Sequence, residues 1–241
     1  MRLDDPASVR EQYATEERLE ARRAFYRAAE GDDPREIAFA AVAEVDPRVA
    51  LEVGCGPGEA AERVARELGA RVTAVDISPR MVELTRARRV DAVVADVQEL
   101  PFDDGSFDCV LAQWMLFHVP DLDRGLAEIV RVLRPAGRLV ATTNAIDHLA
   151  ELWELVGAEP LKLAFSSENG EDLLARWFGR VERREARGRV VVTTEEEICT
   201  YVASSLRGPA DAARIPELRE PLAVTTHWTV FVAEHGSGPP N

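Results

Sequence analysis

The chain has 241 residues, 46% hydrophobic and 30% charged, with 43 acidic against 29 basic side chains and a formal net charge of -14. This suits one α/β domain with a sizeable core and argues against global disorder. The negative balance disfavours nucleic acid as a partner, because a surface that tracks phosphates needs clustered positive charge. Cys55, Cys109 and Cys199 are too few and too far apart for a disulfide framework or a metal site, which points to a reducing, cytoplasmic setting and no bound metal. The segment Met1 to Tyr13 lacks the apolar stretch of a secretory signal, and no apolar run approaches the roughly 18 residues of a membrane span.

Taken in order, Ala7 to Ala29 reads as a helix, Gly31 and Pro34 interrupt it, and a second helix runs to about Val45. After Asp46-Pro47 short apolar strands alternate with helices: strands at Val49–Val53, Arg71–Asp76, Asp91–Asp96, Phe107–Ala112 and Gly137–Thr143, and helices at about Glu59–Leu68, Pro79–Arg88 and Asp121–Leu133. That alternation predicts a parallel sheet with helices on both faces. Further on, helices are expected at Asp147–Val156, Gly170–Phe178 and Thr194–Leu206, and strands at Val181–Thr193 and Ala223–Ala233. The arginines between Arg180 and Arg189 interleave with Glu182 and Glu185, the pattern of a solvated strand. The organisation is a single domain: an N-terminal helical part (1–46), a core (47–144), helices and final strands (145–235) and a disordered tail (236–241).

The most informative stretch is Leu51-Glu52-Val53-Gly54-Cys55-Gly56-Pro57-Gly58. A strand that breaks into three alternating glycines before a helix lets a ligand approach the backbone closely. The second strand ends in Asp76, placed to accept both hydroxyl hydrogens of a ribose, and the third in Asp96, which could receive an adenine amino group. Three such sites at the carboxyl ends of neighbouring strands describe one crevice. A nicotinamide-dependent oxidoreductase competes, since Gly56-Pro57-Gly58-Glu59-Ala60-Ala61 satisfies a relaxed G-x-G-x-x-A with Asp76 at about 20 residues. Against it stand Glu52 inside the strand, where a dinucleotide fold carries an apolar residue, and the absence of a Tyr-x-x-x-Lys pair around Lys162, the only lysine. A cofactor-binding protein without catalysis is the other alternative.

The chain resembles the class I S-adenosylmethionine-dependent methyltransferases, in their UbiE-like or type 11 small-molecule branch. The resemblance runs from about Val49 to Thr143 and rests on ordered motifs. They are Glu52-Val53-Gly54-Cys55-Gly56-Pro57-Gly58, Val75-Asp76-Ile77-Ser78-Pro79, Ala95-Asp96-Val97-Gln98-Glu99-Leu100-Pro101-Phe102, Gly105-Ser106-Phe107-Asp108, Phe117-His118-Val119-Pro120-Asp121 and Arg131-Val132-Leu133-Arg134-Pro135-Ala136-Gly137-Arg138-Leu139. Ala136-Gly137 stands where the family often has Gly-Gly. A weaker likeness to an uncharacterised bacterial subgroup extends outward through Val9 to Tyr13 and Phe165 to Gly170.

The resemblance implies a Rossmann-like seven-stranded sheet in the order 3-2-1-4-5-7-6, last strand antiparallel, beneath an N-terminal helical lid. It implies S-adenosyl-L-methionine as cofactor, with Gly54, Gly56 and Gly58 under the methionine part, Asp76 on the ribose and Asp96 with Val97 on the adenine. Tyr13, Glu52, Cys55, Ile77, Met81, Gln113, Trp114 and His118 complete the expected cofactor shell. A small-molecule methyl acceptor would meet Trp114, Phe117, Asn144, His148, Glu168 and Asn169, in a monomer or homodimer. Methyl transfer is an in-line displacement that needs a positioned nucleophile and excluded water. Tyr13 either offers an aromatic face to the sulfonium or serves as a packing anchor. His118 and His148 are candidate general bases; His118 could instead shape its loop and His148 start a helix. Glu168-Asn169 is either a substrate clamp or a helix-capping turn, and Cys55 is a small filler rather than a nucleophile.

Overall fold

The computed structural model describes residues 5–13, 15–159, 161–205, 212–213 and 215–236. The strands in chain order are β1 (Glu30–Gly31), β2 (Val49–Val53), β3 (Arg71–Asp76), β4 (Asp91–Val94), β5 (Phe107–Gln113), β6 (Leu133–Asn144), β7 (Arg180–Val192) and β8 (Leu222–Glu234). They form one sheet in the order β1-β7-β8-β6-β5-β2-β3-β4. Without β1 this is the expected order 3-2-1-4-5-7-6, with β8 antiparallel to both β6 and β7. The eighth strand corrects the count. Glu30 and Gly31 pair antiparallel with Arg189 and Gly188, and the Glu30 carboxylate meets the Arg189 guanidinium at 2.8 Å.

The expected helix from Ala7 to Ala29 is two, α1 (Pro6–Gln12) and α2 (Glu17–Phe25), with a 3-10 turn at Tyr26–Ala28. The break follows Gln12, where the Tyr13 carbonyl accepts from the Ser78 hydroxyl at 2.9 Å instead of from a helical N–H. The helix α3 (Pro34–Ala43) starts on Asp33, whose side chain accepts from the Arg35 N–H, with proline in its first turn. Then come α4 (Glu59–Leu68), α5 (Pro79–Ala87), capped by Ser78, and α6 (Leu122–Val132), capped by Asp121.

Beyond β6, α7 (Ala150–Leu155) and α8 (Gly170–Ala175) are shorter than expected. Leu149, at φ 60°, sends its N–H to the Thr225 carbonyl and so delays α7. The helix α9 (Glu195–Ser204) opens with a capping box between Thr194 and Glu197; the expected end at Leu206 lies outside the described residues. So does the expected disordered tail, apart from Gly236. Among the described residues no helix is long and apolar enough to cross a membrane.

Alternation along the strands sends Ala50, Leu111 and Val140 to one face, where α3, α4 and α5 cover them with Ala38, Val42, Val64 and Val82. Val53, Val110 and Leu139 face α6 and α8 through Leu126, Ile129, Leu174 and Phe178. Leu126 and Ile129 are fully buried, and each stabilises the fold by about 1.5–3 kcal/mol. A third apolar cluster joins Leu152 and Trp153 of α7 to Ile198 and Val202 of α9. Register sets Val53 beside Val75 and Ala112, so β2, β3 and β5 end together on one rim.

Candidate active site

At that rim the chain leaves β2 through Gly54, Gly56 and Gly58, at φ 62°, 53° and 79°. A Cβ on Gly54 would stand 2.6 Å from the Met115 side chain, and one on Gly58 2.6 Å from that of Thr85. At Gly56 a Cβ would meet nothing within 4 Å. Its bare face opens on a cavity of about 710 Å³, within the usual range for small-molecule sites.

The acids of this rim hold the loop and face the cavity together. Asp76 accepts the N–H groups of Gly56 and Ser78, both at 2.9 Å. Burial raises its pKa against the pull of those two hydrogen bonds. Glu52 is buried beneath the loop and accepts the Ala61 N–H at 2.8 Å. Burial pushes its pKa up to about 8; the Ala61 hydrogen bond opposes this and the Asp76 charge adds to it. Asp96 accepts the N–H and side-chain amide of Gln98, and Val97 lines the cavity next to it.

Trp114, just past β5, sits at φ 52°, a strained conformation for a large side chain. Its N–H is tied to the Thr142 carbonyl at 2.9 Å, and the Arg35 guanidinium lies 5.6 Å from its ring centroid. Gln113, Ile77 and Cys55 also line the cavity. Burial raises the Cys55 thiol well above its ordinary pKa, which suits a filler and not a thiolate nucleophile. Tyr13 is fastened on three sides: its carbonyl to Ser78, its ring under Arg22 at 5.3 Å, and its hydroxyl 3.4 Å from His118 Nε2. Tyr13 also lines the cavity.

His118, Phe117, Asn144 and His148 line the same cavity. His148 is buried, with both ring nitrogens engaged. Nδ1 accepts the His227 N–H at 3.1 Å, so the ring hydrogen sits on Nε2, which faces the Tyr26 hydroxyl at 2.9 Å. Burial pulls its pKa down to about 3. In this arrangement the one ring lone pair of His148 is taken by the His227 N–H.

Four expected site residues do not line the cavity: Gly58, Met81, Glu168 and Asn169. Met81 is fully buried in the first turn of α5, where its N–H meets the capping Ser78. Glu168 accepts the Ile146 N–H at 2.8 Å; Asn169 accepts from Ser166 N–H and donates to the Ala164 carbonyl. These bonds tie the segment before α8 together, and the Asn169 side chain makes no cap bond to that helix. The arginine-rich strand is solvated as expected, with Arg184 on Glu44 and Glu182 and Arg183 on Glu185.

The residues missed from the sequence are aromatic and basic. Tyr26, Trp153, Tyr201 and Trp228 line the far end of the cavity. Tyr26 packs edge-on to Trp228 at 5.5 Å and to Tyr201 at 5.8 Å between ring centroids, and its hydroxyl lies 2.9 Å from that of Tyr201. Arg22 and Arg35 line it as well. Strand alternation could have pointed Trp228 inward; no local signal marked the others.

Residues 51–141 match the family model described as methyltransferase domain. Methyltransferase GfsG of Streptomyces halstedii is 41% identical over 112 residues, 42% of this chain and 40% of that protein. The ubiquinone biosynthesis O-methyltransferase of Xanthomonas oryzae pv. oryzae is 40% identical over 116 residues, 45% of this chain and 48% of that protein. The chain thus spans less than half the length of these curated relatives. Among solved structures, the Burkholderia thailandensis 1,6-didemethyltoxoflavin-N1-methyltransferase, with 1,6-didemethyltoxoflavin and S-adenosylhomocysteine bound, superposes at a TM-score of 0.59. Identity there is 23%, over 95% of this chain and 88% of that one. Residues 51–141 are therefore similar to a methyltransferase domain, and the chain shares its α/β fold with the Burkholderia enzyme.

Proposed function

We propose that the chain is an S-adenosylmethionine-dependent methyltransferase that methylates a small molecule held at the aromatic end of the cavity. The observation that carries this is the convergence of the open Gly56 cradle, Asp76 and Asp96 on one cavity that continues into an aromatic chamber. The donor set suits the cofactor: Asp76 to the ribose hydroxyls, Asp96 and the Val97 N–H to the adenine, and Gly54 and Gly56 beneath the methionine chain. Arg35, with no carboxylate partner among the described residues, supplies the charge for a methionine carboxylate, and Glu52 for the cationic end. When bound, the sulfonium supplies an activated methyl group. The protein's contribution is to align the acceptor, exclude water and, for an acceptor that carries a proton, remove it. His118 is the base candidate that remains, since it lines the cavity on the side of Tyr13 and Trp114.

Calorimetric titration with S-adenosylmethionine, S-adenosylhomocysteine and NADH tests the proposal. Micromolar binding of the two sulfur ligands without NADH is expected. NADH binding alone would restore the oxidoreductase alternative.

A further inference from the structure

The cavity that Tyr26, Tyr201 and Trp228 line also receives a guanidinium with a free donor. Arg22 of α2 lines it, with Nη1 donating to the Ser204 carbonyl at 3.0 Å and its ring neighbour Tyr13 at 5.3 Å. Its Nη2 is buried and has no hydrogen-bond partner, and among the described residues no carboxylate pairs with it. The neighbouring Arg23, by contrast, is paired with Glu59, and Arg184 and Arg189 on the sheet with Glu44 and Glu30. An unpaired guanidinium in a desolvated site is costly unless something complements it. The same cavity is lined by Tyr26, Tyr201, Trp153 and Trp228, whose rings pack on one another. Burial raises the pKa of both tyrosines, and the Arg22 charge opposes that rise, joined at Tyr26 by Arg35.

We propose that the methyl acceptor is a flat, aromatic, anionic molecule, a hydroxylated arenecarboxylate or similar, with its anionic group on Arg22 and its ring against Tyr26 and Trp228. The inference rests on the methyltransferase proposal above and names its acceptor class. The aromatic walls would equally attract a cation, but Arg22 already holds the cationic position and would repel a second one. The tyrosine hydroxyls add donors beside the guanidinium: His148 Nε2–H fills an acceptor site on Tyr26, which leaves the Tyr26–Tyr201 pair one hydrogen to donate onward.

Three isosteric probes that differ in charge test this: 3,4-dihydroxybenzoate, 3,4-dihydroxybenzamide and 3,4-dihydroxybenzylamine. Each is titrated into wild-type protein saturated with S-adenosylhomocysteine and into the Arg22→Gln variant, followed by tryptophan fluorescence. A charge-assisted hydrogen bond predicts that the wild type prefers the carboxylate over the amide by about tenfold or more, with the amine weakest. In Arg22→Gln the carboxylate-to-amide ratio should fall to near one while amide affinity holds, which also shows that the pocket remains folded. No carboxylate preference in the wild type, including no binding, overturns the inference, as does a preference that survives Arg22→Gln. Failure of S-adenosylhomocysteine itself to bind would instead remove the methyltransferase proposal, and this inference with it.

Discussion

The backbone N–H of His227 donates to Nδ1 of His148 at 3.1 Å, and this single contact fixes where the imidazole hydrogen sits. The contact is possible because Asn144 pairs with Trp228 at the last rung between β6 and β8, and Ala145 N–H then takes the His227 carbonyl. His148 is thereby held beside the middle of β8, just past the end of β6, with Nε2–H directed at Tyr26. Through Tyr26 it is linked by hydrogen bonds to Tyr201.

A stability prediction follows. Burial depresses the His148 pKa to about 3, whereas in the unfolded chain it lies near ~6.5. Between these values the unfolded state binds the additional proton, so stability present above about pH 6.5 is lost as the pH falls toward 3. The urea midpoint of the wild type should therefore drop more between pH 7 and pH 4 than that of His148→Gln. Parallel drops would show that another group carries the acid sensitivity.

His118 gives a kinetic contrast with His148. General-base catalysis contributes about 10²–10⁴ in rate. His118→Gln should thus lower kcat by at least ~10-fold with little change in the KM for the cofactor. His148→Gln should lower kcat by less than His118→Gln does. Full turnover by His118→Gln on a proton-bearing acceptor would show that the reaction needs no base from either histidine.

The contrast between the two histidines also marks what the sequence could carry. The cofactor side is encoded in contiguous runs: the apolar Val49–Val53, the glycines after it, and acids at the strand ends, each interpretable from local chemistry. The chamber beyond it is assembled from Tyr26, His148, Tyr201 and Trp228, which come from four distant segments and meet only because β8 runs antiparallel beside β6. No periodicity announces such a meeting. The two-residue β1 is equally silent, since Glu30 and Gly31 are a strand solely through their pairing with β7. The break after Gln12 depends on a hydroxyl 65 residues away in sequence.

Glu52 predicts a proton count on binding. Burial raises its pKa to about 8 before any ligand is present, so at pH 7 the carboxyl is largely protonated. A cationic ligand beside it favours the ionised form. Binding of S-adenosylmethionine at pH 7 should therefore release protons, and affinity should rise with pH until about 8. Calorimetry in two buffers of different ionisation enthalpy measures the release, which Glu52→Gln should abolish. Equal apparent enthalpies in both buffers for the wild type would mean that Glu52 does not change its charge on binding. Without ligand the sign reverses for folding: the raised pKa makes stability decline from about pH 4.5 to 8, because the folded state then holds the proton that the unfolded chain has released.

The glycine loop separates stability from binding. Gly56 and Gly58 both occupy the left-handed region, where a side chain costs roughly 1–2 kcal/mol. For Gly56→Ala that strain is the whole structural cost, since its Cβ would meet no atom within 4 Å, and a loss of about 2–4 °C in Tm per kcal/mol is expected for a chain of this size. Yet the new methyl group would project where a ligand must lie against the backbone, so S-adenosylhomocysteine affinity should fall by more than about tenfold, the equivalent of 1.4 kcal/mol. Gly58→Ala should do the reverse. Its Cβ would stand 2.6 Å from Thr85, whose hydroxyl holds the Gly56 carbonyl at 3.0 Å, so overpacking adds about 1–3 kcal/mol to the strain. Gly58 does not line the cavity, and the larger Tm loss should come with the smaller change in affinity per folded molecule. Thermal unfolding and calorimetry on the two variants decide the matter. If Gly56→Ala bound S-adenosylhomocysteine as the wild type does, the open face of the loop would not be where the ligand sits.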